Sequence, residues 1–130
     1  MAALTDKSRA LIDAPNYAFL ATVDEDGAPQ VSPVWIDRDD DTILVNTGTG
    51  RVKDRNMRRD PRVALSIATE GNAYDKVDIR GHVVDIVEGE EADRHIDKLA
   101  KKYTGEDRYP DRRDGEERVI FRIEADRIHG

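Results

Sequence analysis

Thr47-Gly-Thr-Gly-Arg-Val-Lys-Asp-Arg-Asn-Met-Arg-Arg-Asp-Pro-Arg-Val63 is the stretch around which the chain is organised. Its small residues suit a close approach of backbone to a ligand. The pattern predicts a short helix that stops at Asp60-Pro61, because a residue before proline is pushed out of helical geometry. Six cations (Arg51, Lys53, Arg55, Arg58, Arg59 and Arg62) stand against two acids, Asp54 and Asp60. The local balance is +4 in a 130-residue chain of net charge −7, which leaves −11 for everything else. Only Val52 and Met57 offer the helix an apolar face, narrower than a surface helix normally shows. Core packing alone therefore does not account for the segment. A helix N-terminus behind Thr-Gly-Thr-Gly, flanked by Lys and Arg, favours a bound phosphate or carboxylate. A solvated basic face between two strands is the plainer alternative. The Gly-Thr-Gly lacks the third glycine of a dinucleotide fingerprint and is not a Walker-type loop.

Strands are expected on both sides of this stretch. Thr42 to Asn46 leads into it, and Val63 to Thr69, small and β-branched, leads out. Upstream, Tyr17 to Val23 alternates, with Tyr17 and Phe19 read as core. Asp24-Glu-Asp-Gly27 is a hairpin signal, and Gln30 to Ile36 is the returning strand. Pro29 and Pro33 put parts of that strand at an open edge, since proline cannot donate to a ladder. Asp37 to Asp41 reads as a solvated turn; a calcium loop would need a glycine and a distal glutamate that are absent. Leu4 to Ala14 reads as a helix capped by Thr5. Downstream, Lys76 to Val87 is a long strand in which Gly81 marks a bulge or a close backbone approach. Glu90 to Tyr103 is a helix by the spacing of Ala92, Ile96, Leu99 and Ala100, closed by Gly105. A polar loop, Thr104 to Glu117, precedes the last strand, Arg118 to Ile128. Strands joined by short turns, with one helix after the third and one before the last, fit a mainly β, α+β fold. The expected form is a six-stranded antiparallel barrel with short flanking helices, one domain over residues 1–130.

Composition removes several function classes. The chain has no cysteine, so a disulfide framework and a thiolate metal site are both excluded. His82, His95 and His129 lack ligand spacing, and no metal is expected. The negative net charge argues against nucleic acid, whose binding draws most of its affinity from phosphate neutralisation. No apolar run approaches the ~20 residues of a membrane span, and the N-terminus lacks a signal-peptide layout. A cytoplasmic protein without membrane partners is expected.

Four blocks carry a family resemblance: Ala18-Phe-Leu-Ala-Thr-Val23, Asp26-Gly-Ala-Pro-Gln-Val-Ser-Pro-Val-Trp35, Asn46-Thr47, and Lys53-Asp-Arg-Asn-Met-Arg-Arg-Asp-Pro-Arg-Val63. In this order and spacing the sequence resembles the flavin/deazaflavin split-barrel superfamily, related to pyridoxamine 5′-phosphate oxidase, and within it the probable coenzyme F420-dependent reductases. The resemblance covers about Thr5 to Gly89 well and is looser beyond. The last strand carries Glu124-Ala-Asp126 where the family usually has a proline.

The resemblance implies an FMN-binding split-barrel type of fold and a homodimer with two cofactors at its interface. Gln30, Ser32, Pro33 and Trp35 would line the groove for ring or tail. Asn46, Thr47, Thr49 and Gly50 would contact the ring edge or the phosphate. Arg51, Lys53, Arg55 and Asn56 would hold the phosphate or an acidic tail, and Ser66 and Ile67 would lie against the ring. Tyr74, Arg80 and His82 would reach across from the partner. Arg58 and Arg59 are read as solvated or ion-paired. The implied activity is an oxidoreductase passing a hydride between coenzyme F420 and an electron-poor small molecule. An FMN-dependent oxidase-like enzyme and a non-catalytic flavin or F420 carrier are the alternatives. Six cations are generous for one phosphate and suit the longer acidic tail of F420. No catalytic side chain is assigned.

Overall fold

The structure is a computed structural model describing residues 2–130. In chain order the elements are α1 (Asp6–Asp13), β1 (Ala18–Val23), β2 (Pro29–Val34), β3 (Ile36–Asp39), β4 (Thr42–Gly48), α2 (Val52–Arg59), β5 (Arg62–Thr69), β6 (Asn72–Glu88), α3 (Glu90–Thr104) and β7 (Arg118–His129). The strands form one antiparallel sheet in the order β2-β1-β5-β6-β7-β4-β3. It curls into a half-barrel, as expected, with one difference in strand count. The segment read as a single strand from Gln30 to Ile36 is two. β2 pairs with β1, while β3 pairs with β4 at the other end of the sheet. Trp35 alone separates them. The two edge strands are thus consecutive in sequence, and the chain itself, not a ladder, joins them. Local alternation continues across Trp35, so nothing in the local pattern marks the change of partner. Asp37 to Asp39, read as turn, belongs to β3; the turn comes at Asp40, whose φ is +53°.

The inner face is filled by Ala18 and Leu20 of β1, Ile43 and Val45 of β4, Leu65 and Ile67 of β5, Val77 and Ile79 of β6, and Phe121 and Ile123 of β7. Ile12 of α1 and Met57 of α2 close it. This corrects the reading of β1, because Tyr17 and Phe19 lie outside, 55% and 53% exposed. Alternation separates two faces without saying which is inside. Here the register sets Ala18 beside Ile67 and Leu20 beside Leu65. Val52 is also exposed, leaving Met57 as the only buried apolar residue of α2.

The helix ends follow the local chemistry. Thr5 caps α1 by accepting from the Ser8 amide, and Gly105 ends α3 in left-handed geometry. The β6–β7 register shifts between Arg80 and Gly81, where the bulge was expected. No helix among the described residues is long and apolar enough to cross a membrane.

Candidate functional site

A cavity of ≈ 190 Å³ opens where β2 gives way to β3. The split positions it: Pro33, Val34 and Trp35 form one wall, and Asn46 and Thr47 of β4 another. Arg51 and Lys53 enter from the start of α2, with Tyr109 and Arg118 from the C-terminal loop and strand. Trp35 is a wall residue held by aromatic neighbours. It stacks on Tyr103 with centroids 5.2 Å apart and planes 7° from parallel, and Tyr109 meets it edge-on at 5.9 Å. The Tyr103 hydroxyl donates to the Asn16 carbonyl at 2.7 Å and accepts from the Ile36 amide at 3.1 Å. Burial pushes its pKa up to about 12. Tyr103 is thus a neutral, structural phenol and a poor acid near neutrality.

Arg51, Lys53 and Arg118 outnumber the one lining carboxylate, Asp111, so the cavity is electropositive. Lys53 is half-buried and makes no ion pair or hydrogen bond to the described residues. Burial lowers its pKa, and the positive charges of Arg51 and Arg118 lower it further. Arg118 is 4% exposed. Its Nε donates to Asn46 Oδ1 at 2.9 Å and its Nη1 to Glu116 at 3.0 Å, while its guanidinium carbon lies 5.1 Å from the Tyr109 ring centroid. Arg51 shares the same Glu116 carboxylate at 3.1 Å. Burial opposes ionisation of Glu116, but Arg118 and Arg51 outweigh it and its pKa is lowered.

Asn46 links this cluster to α3. Its Oδ1 is taken by Arg118, so its Nδ2 must do the donating. That group donates to the Ala92 carbonyl at 2.9 Å and faces His95 Nδ1 at 3.1 Å. His95 Nδ1 is then the acceptor, and the ring proton sits on Nε2, which faces Asp37 Oδ2 at 3.4 Å but out of line for a hydrogen bond. Burial of Asp37 favours its neutral form, yet His95, the Arg38 amide and Lys98 together hold its carboxyl well below the usual range.

Thr47 borders the cavity, but its side chain shares the phase of Ile43 and Val45 and pairs with Val119 on the core face of the sheet, opposite the face of Asn46 and Arg118, and its Oγ1 is buried without a partner.

The model of the family described as pyridoxamine 5′-phosphate oxidase matches residues 4–130. The chain belongs to that family. Among solved structures, an F420 reductase shares 30% identity at a TM-score of 0.84, over 97% of this chain and 98% of its own. A conserved hypothetical protein from Mycobacterium tuberculosis shares 28% identity at 0.74, over 96% and 82%. A pyridoxamine 5′-phosphate oxidase-type protein from Listeria innocua, 21% identical at a TM-score of 0.68 over 95% and 94%, is a likeness of fold. These findings bear out the split-barrel resemblance and fold, and they make the protein a member of a flavin- and F420-binding, oxidoreductase-type family.

Of the residues this family resemblance singled out, Pro33, Trp35, Asn46, Thr47, Arg51 and Lys53 meet at the cavity. Gln30 and Ser32 share the phase of the buried Val34 on β2, and the Ser32 hydroxyl is buried without a partner. Thr49 and Gly50 are exposed in the loop before α2. Thr49 borders an acidic hollow with Glu88, Glu90, Asp93 and Glu117, an unfavourable surround for an anion. The Gly50 amide donates to Asp54 at 2.8 Å and is therefore already satisfied. Arg55 donates to the Gly50 carbonyl and borders a different hollow, with Asp24, Glu25 and Asp26. Ser66 pairs with Phe19 on the outer face of the sheet, whereas Ile67 is fully buried in the core. Arg58 is ion-paired with Asp54 and Glu88, both at 2.7 Å, and His82 meets Asp126 at 3.0 Å.

Asn56 is bound within the protein. Its Nδ2 donates to Thr22 at 3.0 Å and Asp24 at 2.8 Å, and its Oδ1 accepts from Arg59 at 2.9 Å. Asn56→Ala is expected to lower stability by about 1–3 kcal/mol by leaving buried partners unpaired. Cofactor affinity should stay within about threefold, less than one net hydrogen bond. A denaturant melt beside a binding titration checks both, and a large affinity loss at unchanged stability would return Asn56 to the binding site.

Arg118 and Tyr109 belong to the cavity but were not singled out from the sequence. Arg118 opens a strand in which charged and apolar residues alternate, and nothing local marks it as buried.

Proposed function

We propose that this protein is an oxidoreductase that transfers a hydride between coenzyme F420 and an electron-poor organic small molecule. The observation that carries the reading is the cavity of Arg51, Lys53 and Arg118, where the half-buried Lys53 ammonium makes no ion pair with the described residues. The similarity to an F420 reductase over nearly all of both chains supports the cofactor choice. The bound deazaflavin supplies the hydride chemistry; the protein supplies binding, orientation and exclusion of water. In this reading Arg51 and Lys53 neutralise the cofactor phosphate. Trp35, pinned between Tyr103 and Tyr109, gives a flat apolar wall, and the neutral Tyr103 keeps that wall rigid. At ≈ 190 Å³ the cavity is smaller than the ~300–1,000 Å³ typical of a complete ligand pocket. It suits the anionic end of the cofactor, with the ring lying outside it.

FMN is the second reading, favoured by the oxidase description of the family that matches. Titrating the apo protein with F420 and with FMN, at low and moderate salt, separates the two. Tight F420 binding that weakens with salt is expected. A preference for FMN would move the protein to flavin chemistry, and binding of neither would remove the enzyme reading.

A homodimer completes this proposal. Phe19 and Val31 are 53% and 62% exposed and border one outer-face hollow with Ala21 and Ala64. Exposed apolar patches on such a face mark interaction surfaces. Phe19→Lys combined with Val31→Asp is expected to give monomers in analytical ultracentrifugation and to weaken cofactor binding. A dimer unaffected by both changes would put the interface elsewhere.

A further inference from the structure

We propose that His95 is a positioning residue for the cavity, whose proton decides whether Asn46 holds Arg118 in the cavity wall. The neutral ring keeps the wall ordered, and the protonated ring turns to Asp37 and lets the wall loosen. The device lies behind the cavity, between β3 and α3, and His95 itself touches no ligand. Its effect on cofactor affinity rests on the reading of the cavity as the cofactor site.

The Asn46 amide has no freedom to turn. Its Oδ1 accepts from Arg118 Nε at 2.9 Å, and its Nδ2 donates to the Ala92 carbonyl at 2.9 Å and meets His95 Nδ1 at 3.1 Å. Both amide hydrogens are therefore spent, and Nδ1 must be an acceptor. Only a neutral ring protonated on Nε2 meets that condition. A second proton, on Nδ1, would set N–H against N–H. Turning the Asn46 amide over gives no relief. It would set Nδ2 against Arg118 Nε and Oδ1 against the Ala92 carbonyl.

The other side of the ring supplies the alternative. His95 Nε2 and Asp37 Oδ2 are 3.4 Å apart, both buried, and neither has a hydrogen bond. A buried donor and a buried acceptor left unpaired side by side are costly. Burial works against the charge of Asp37, yet His95, the Arg38 amide and Lys98 keep its carboxyl ionised. A carboxylate favours an imidazolium, so a protonated ring gains by tilting toward Asp37 as it leaves Asn46. One ring thus has two positions, on Asn46 when neutral and on Asp37 when charged, and protons shift the balance between them.

Among the described residues, β3 presents Asp37 to the ring. α3 itself presents Lys98, whose Nζ meets the same carboxylate oxygen at 3.1 Å and competes for it. β4 presents the uncharged Asn46, and β7 presents Arg118 behind it. β6 meets this end of α3 through Val87. Arg112 of the C-terminal loop is taken up by Asp97 and the Asp93 carbonyl. Acid therefore favours the state in which Arg118 loses its fixed partner. Arg118 lines the cavity beside Tyr109, which meets Trp35 edge-on, so one proton behind the wall reaches three residues of it.

The test follows the Arg118 Nε–H and the His95 ring by nuclear magnetic resonance in the apo protein from pH 8 to pH 5, the range in which histidines change charge. The Arg118 resonance is expected to shift with the same midpoint as His95. His95→Asn keeps an acceptor where Nδ1 stands and takes no proton, so its Arg118 resonance should stay still over this range. Lys98 is exposed, which makes Lys98→Gln a variant with little folding risk. It should raise the midpoint, because it frees the carboxylate for the imidazolium. In titrations with F420 and FMN, acid should weaken wild-type binding about three- to tenfold more than it weakens His95→Asn, the size of one net hydrogen bond. Comparing the two proteins with the same cofactor cancels the titration of the cofactor's own phosphate. An Arg118 resonance that stays still while His95 titrates, a His95 that keeps one charge throughout, or a midpoint unmoved in Lys98→Gln would each overturn the device. A resonance that follows His95 with no difference in affinity would overturn its link to the cofactor while leaving the function reading intact. If the wild type binds neither cofactor, the function reading fails, and the resonance alone decides whether His95 positions Arg118.

Discussion

Lys53→Ala is expected to weaken cofactor binding by about ten- to a hundredfold, the range of one charged hydrogen bond, while leaving the apo protein as stable as the wild type or more so. The two halves have one cause. In the apo protein the Lys53 ammonium is half-buried beside Arg51 and Arg118, and its lowered pKa records burial first and those two charges second. Removing it relieves repulsion. In the proposed complex the same ammonium would face the anion, and removing it would cost a charge-assisted contact. Loss of affinity with unchanged or raised melting temperature marks a residue kept for function at the expense of stability. Arg55→Ala is the control, since Arg55 is exposed and borders the hollow of Asp24, Glu25 and Asp26. It should cost under about threefold, less than one net hydrogen bond, so the double variant should resemble Lys53→Ala. Fluorescence titration at two salt concentrations reads all three. A loss carried by Arg55→Ala alone would place the ligand on the other face of α2.

The second large effect is on folding. Gly81→Ala is expected to destabilise the protein by about 3 kcal/mol, the upper range for forced overpacking, and to lower its melting temperature by about 10 °C. A Cβ at Gly81 would lie 2.4 Å from the Glu124 carbonyl oxygen and 3.1 Å from Ile123 Cγ2. The first of these is backbone, which cannot swing aside as a flexible side chain would. The β6–β7 ladder would have to part where its register already shifts. Gly27→Ala separates collision from backbone strain. Gly27 has φ +87° with open space around its would-be Cβ, so only the roughly 1 kcal/mol of a left-handed alanine is at stake. Calorimetry of the two variants checks the contrast, and equal losses would mean that β7 yields to the methyl group.

Much of this protein is legible in its local chemistry. Thr5 as a cap, Gly105 as a helix end, the bulge at Gly81 and the hairpin at Asp24 to Gly27 depend on residues near one another in the chain. So do the basic character of α2 and the blocks that mark the split-barrel family. The outer position of Tyr17 and Phe19 is a different kind of fact. Strand alternation is symmetric between the faces, and only pairing with β5 puts Ala18 and Leu20 inside. The change of partner at Trp35 is likewise invisible locally, because β2 and β3 continue one extended run and differ only in which distant strand each one meets.

The same division runs through the candidate site. The sequence by itself determined that positive charge is concentrated on one short helix. It did not determine which cations act together, because residues two apart on a helix point in different directions. Lys53 therefore enters the cavity while Arg55 borders another hollow. Arg118 joins Lys53 from 65 positions further along the chain, brought in by the pairing of β7 with β4 and locked by Asn46. Charge is a property of composition, whereas a cavity that gathers Arg51, Lys53 and Arg118 is a property of how distant strands meet.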